Sequence, residues 1–133
     1  MNAQQLGTRA QRLGNVVKQE LWTHMGYCRD IVTLADPVPT ETLAVGTVLG
    51  QVTATGEWVV SVQTASDGSE VPAGIVVEQY DLSDHPDGQC VALVRGPAIV
   101  ADDALILDAS WDGLEEDAFA AFKAIGILVY NQV

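Results

Sequence analysis

The sequence predicts a mainly β domain, a small barrel or bent ribbon, with one α-helix near its C-terminus and an extended N-terminal arm. Three observations predict it. After Asp30 the text becomes short β-branched runs separated at short, regular intervals by turn residues. One stretch, between Asp112 and Gly126, changes to helical spacing. The first 29 residues differ from the remainder in both charge and texture.

The arm comes first. Residues 1–29 carry Arg9, Arg12, Lys18 and Arg29 against Glu20 alone, whereas residues 30–133 carry Arg95 and Lys123 against the other seventeen acids. Its opening residues are rich in Gln, Gly and Arg and too sparse in apolar side chains to specify a core. Residues 1–29 are therefore expected as a mobile arm and residues 30–133 as the body. Val16, Val17, Leu21, Trp22 and Tyr27 make the arm too apolar for a tail that meets only water, and with Arg29 they are its candidate contact residues.

Within the body, Ile31–Leu34 reads as a strand ended by Pro37-Val38-Pro39, where ladder donors are missing. Residues 46–52 and 57–62 flank a Gly-containing turn in the manner of a hairpin. Further strands are expected over 74–80, 90–95, 98–100 and 105–107, and a last one over 127–130. The helix has Leu114, Ala118, Ala121, Phe122 and Ile125 on one face, Asp112 as N-cap with Glu115 completing a capping box, and Gly126 as the left-handed stop.

Composition narrows the function. The chain has 133 residues, 48% of them hydrophobic, enough for one core. A formal net charge of −12 disfavours nucleic acid and anionic lipid as partners. No apolar run reaches the ~18 residues of a membrane helix, and no basic-then-apolar export signal opens the chain. Cys28 and Cys90 are expected as small buried thiols in a reducing cytoplasm. The acidic loop Asp81, Asp84, His85, Asp87 lacks the alternate spacing and the twelfth-position Glu of a calcium loop, so a solvated turn is expected there and no metal. Asp102-Asp103 is likewise expected as a turn. Two histidines, no G-x-S-x-G and no Gly-rich loop leading into the helix leave no visible enzyme and no cofactor site. The run Val45–Val52 with its hairpin is similar to a biotinyl or lipoyl carrier, but neither Lys18 nor Lys123 falls at a hairpin turn to be modified.

Several pieces taken in order carry a closer likeness. They are Tyr27–Leu34, Leu43–Gly50, Ala65–Gly68, Ala73–Val76, Val91–Ala98 and the closing helix with Ala124–Ile127. Together they resemble the bacteriophage head decoration proteins of the lambda type, from about Val16 to the C-terminus, with Cys28 standing where a small residue such as Ser is expected. The resemblance implies a β-clip domain and a homotrimer that sits on the outer surface of the expanded capsid. It implies binding to the major capsid protein at threefold and quasi-threefold positions, against the pressure of packaged DNA. It also implies that the arm, mobile alone, orders on the shell by extending a capsid-protein sheet. The alternative is a β-domain of a virion or prophage that binds carbohydrate or a host surface, for which Trp58 and Trp111 are the candidate aromatics.

Overall fold

In a computed structural model the described residues are 16–20, 27–35, 42–81 and 87–130. They form eight strands, β1 (Val17–Glu20), β2 (Arg29–Thr33), β3 (Val48–Gln51), β4 (Trp58–Val60), β5 (Pro72–Val76), β6 (Gln89–Leu93), β7 (Ala98–Ala101) and β8 (Ile127–Tyr130), with helix α1 (Glu115–Ala124) between β7 and β8. One sheet has the order β2-β6-β5-β3-β4 and the other β1-β7-β8. All described pairings between strands are antiparallel except β7 with β8, whose crossover contains α1.

The central strands β3, β5 and β6 of the five-stranded sheet place buried residues on both faces, which is why they read as apolar runs, whereas β2 at one side is largely exposed. Val48, Ile75 and Leu93 enter one core cluster, while their chain neighbours Leu49, Val76 and Ala92 enter another. The first cluster draws on both sheets and on α1, through Val16, Val100, Phe122 and Ile127. The second draws only on the five-stranded sheet and its flanks, with Leu34, Leu43 and Tyr80 filling it. A single parallel bridge, Leu34 to Trp58, with Ala35 N–H donating to Trp58 O at 2.8 Å, brings the outer strands β2 and β4 together at one corner. The result is an incomplete barrel with a smaller sheet packed on it.

Gly96 and Gly126 meet where β7 and β8 begin side by side in the smaller sheet. A Cβ at Gly96 would run into the Gly126 backbone, and Gly126 itself has φ 87°, the left-handed stop expected after the helix.

Three local expectations are corrected. Residues 105–107 are not a strand: a 3-10 turn, Asp102–Ala104, precedes them, and Ile106 makes only an isolated bridge to Thr47. The helix starts at Glu115, because the chain before it is spent on a second 3-10 turn, Ala109–Trp111, capped by Asp108 accepting from Ser110 N–H and closed by Asp112. Leu114 is the N-cap and offers no side-chain bond, and the Glu115 carboxylate accepts from Gly113 N–H instead of closing a capping box. The helix's buried face thus contracts to Ala118 and Phe122, with Leu114 and Ile125 beyond its ends and exposed.

Candidate functional site

The arm candidates gather where the N-terminal segment meets the body. Val16 is 0% exposed and part of the first core cluster. Val17 pairs with Val100, and β1 runs along β7 to Glu20 opposite Ala98, with a register shift between Val17 and Gln19. Residues 17–20 are thus an edge strand of the body's smaller sheet. The sequence signal was faint, because four residues with Lys and Glu among them do not declare a strand; only the adjacent β-branched pair Val16-Val17 hinted at it.

An ion pair fastens this strand to the next. Arg29, the first residue of β2, donates through Nε to both Glu20 carboxylate oxygens at 3.1 Å, and its Nη2 pairs with Oε1. The Glu20 side chain is only 3% exposed, so its charge depends on that guanidinium for solvation. Cys28 beside it is fully buried, its carbonyl accepting from Val94 N–H at 2.8 Å and its thiol facing Pro97 O at 3.6 Å. A small side chain is needed at that spot, and Cys meets the need that the resemblance assigned to Ser.

Tyr27 is 44% exposed; the Arg95 guanidinium lies 5.6 Å from its ring centroid, donates to its carbonyl and pairs with Asp30. Arg95 therefore ties the exit of β6 to the entry of β2. Of the six candidates, Val16 and Val17 lie at the β1–β7 edge, Arg29 reaches β1 through Glu20, and Tyr27 stands before β2 against Arg95, while Leu21 and Trp22 lie outside the described residues, as do His24 and His85.

The other candidates have structural roles. Asp87 accepts from Gln89 N–H in the turn before β6, and no group of three potential metal ligands occurs among the described residues. Burial, with the Glu78 charge adding to it, pushes the Cys90 thiol up to about 11, so it stays protonated and poorly nucleophilic at neutral pH. Cys90 also lines a groove of about 90 Å³ with Ile31, Tyr80 and Val91. Trp111 is buried with Nε1 donating to Ser61 O at 3.2 Å, and Trp58 packs half-buried against the second cluster, so neither is laid out as a sugar platform. No helix of the described residues is long and apolar enough to cross a membrane.

What remains is a β body with a fastened N-terminal root and sheet edges that no described strand covers, an arrangement suited to holding other proteins. No curated protein matches the chain. A family model does: bacteriophage lambda head decoration protein D, over residues 7–127. That span takes in every strand through β7, helix α1 and the first residue of β8. The chain belongs to the lambda head decoration protein D family, a structural family of phage heads.

Proposed function

We propose that this protein is made in the host cytoplasm and binds the outer surface of the expanded head as homotrimers at threefold and quasi-threefold positions. There it cements neighbouring major capsid subunits against the pressure of packaged DNA. The N-terminal arm, residues 1–29, supplies the attachment by adding to a sheet of the capsid protein, and no nucleic acid, membrane or cofactor takes part.

The observation that carries this reading is the family match together with the position of β1. Fully burying a Val side chain is worth roughly 1.5–3 kcal/mol, so drawing Val16 out of the core would oppose attachment. No such extraction is required. β1 pairs with β7 on one side and with no described strand on the other. A capsid strand that pairs along this outer side joins the two sheets while Val16 stays in place. Backbone pairing then supplies affinity and alternate side chains set register. One short strand binds weakly, but three on one trimer act at high effective concentration. Leu21 and Trp22 extend the contact, and Arg29 holds β1 in register through Glu20.

Co-sedimentation of the purified chain with emptied heads tests this. Binding to expanded heads and not to unexpanded ones supports it, and Trp22→Ala weakens that binding without lowering the melting temperature of the free protein. Equal binding to both head forms, or none to either, refutes it.

A further inference from the structure

Cations are scarce in this chain, six against eighteen acids, and they are not scattered. Four lie among the described residues, and three of these meet at one corner: Lys18 on β1, Arg29 at the start of β2 and Arg95 just past the end of β6. The Glu20–Arg29 pair ties β1 to β2 there, and Arg95 N–H donates to Cys28 O at 3.3 Å, which ties β6 to β2. The two acids of these segments, Glu20 and Asp30, are each paired with an arginine. The corner is left with a surplus positive charge in a chain of net charge −12.

Its side chains are also laid out for contact. Ile31, at 68%, is more exposed than any other large apolar side chain of the described residues, and it shares one side of β2 with Arg29. Tyr27 stands before the strand, under the Arg95 guanidinium. That guanidinium has five N–H donors; its bonds to the Tyr27 carbonyl and the Asp30 carboxylate use two of them, and the side chain is still 40% exposed.

We propose that this corner is a second capsid-binding surface beside the arm, and that it recognises an acidic, extended segment of the major capsid protein. The inference rests on the decoration reading above and goes past it by naming a site on the body and the chemistry of its partner. A carboxylate of that segment takes the spare donors of Arg95, a charge-assisted bond in fork geometry. Farther along β2, an apolar residue of the segment settles against Ile31 and the groove beside it. Glu78 lines the same groove and repels acids there, so the segment runs in one direction, acid toward Arg95 and apolar toward Ile31. Charge selects the partner, because the acid-rich remainder of the body turns such a segment away. The same polarity presents the root of the arm first as the body approaches a negative surface.

Co-sedimentation of the full chain with emptied, expanded heads is the test, with the melting temperature and oligomeric state of the free chain measured alongside. Arg95→Glu weakens head binding by about tenfold or more, and so does Ile31→Glu, with the oligomeric state unchanged. Asp30→Asn acts in the opposite sense: it releases Arg95 and tightens binding by about twofold or more, which a loss of local structure would not do. Added salt narrows the gap between Arg95→Glu and the wild type. Val71→Glu, at an exposed apolar position before β5, binds as the wild type does. Should Arg95→Glu melt early, Ile31→Glu and Asp30→Asn decide. Normal binding by Ile31→Glu, or weaker binding by Asp30→Asn, overturns the proposal. Corner variants that bind poorly because copies no longer associate overturn it as well, by assigning the corner to contact between copies. A wild type that binds no heads defeats the decoration reading itself, a result distinct from the selective losses expected here.

Discussion

The two core clusters are built from different spans of the chain. The second takes its buried residues from Val32 to Ala92 and closes within one sheet. The first runs from Val16 to Ile127, and joins both sheets, α1 and the root of the N-terminal segment. A cluster of local origin is insulated from the chain's ends, whereas one that spans the chain transmits whatever happens there. On the attachment proposed above, load taken up at β1 would pass through Val16 and β7 into the centre of the body.

The comparison can be broken at its strongest point first. Deleting residues 1–20 removes β1 and Val16 together and should abolish cooperative thermal unfolding of the first cluster, while deletion of residues 1–15 leaves the melting temperature unchanged. Equal effects of the two deletions would mean that β1 carries no part of the fold. Phe122→Ala, in the first cluster, should destabilise by about 3–5 kcal/mol and Leu49→Ala, in the second, by about 2–5 kcal/mol, measured by urea unfolding. Only Phe122→Ala should also expose the amides of β1 and β7 to hydrogen exchange. Val16→Ala should cost about 1.5–3 kcal/mol, a loss that a detached arm could not produce.

A smaller effect separates the clusters by pH. Cys90 lies in the second, with its thiol raised from an ordinary 9.0 to about 11. The unfolded chain releases that proton first, so stability is complete below pH 9 and falls as pH rises through the window to 11. Cys90→Ala should flatten the decline of melting temperature over that range. Smallest of all, Asp30→Asn removes the exposed partner of Arg95 and should change stability by less than about 1 kcal/mol.

Much of the body was legible because its central strands β3, β5 and β6 send residues into two core clusters, which writes them as apolar runs between turn residues; β2 through β6 fall where the expected runs lie. The helix was legible through Ala118 and Phe122, but its start was not. The same acids that mimic a capping box, Asp112 and Glu115, serve a 3-10 turn and a Gly113 amide instead. The strand expected at 105–107 failed because Ile106 makes one isolated bridge, to Thr47, and no ladder extends from it. At the candidate site, apolarity marked Val16 and Val17 as residues needing a partner but not where that partner lies. The partner is a strand some eighty residues away, β7, and the Glu20–Arg29 pair that secures it spans two elements that nothing in the local text connects.

The most direct test is an electron cryo-microscopy map of decorated heads at a resolution that traces backbone. The account predicts a capsid-protein strand running along the outer side of β1, with β1 still paired to β7 and Val16 still in the core. A trimer seated on the shell with residues 1–20 touching no capsid strand would contradict it.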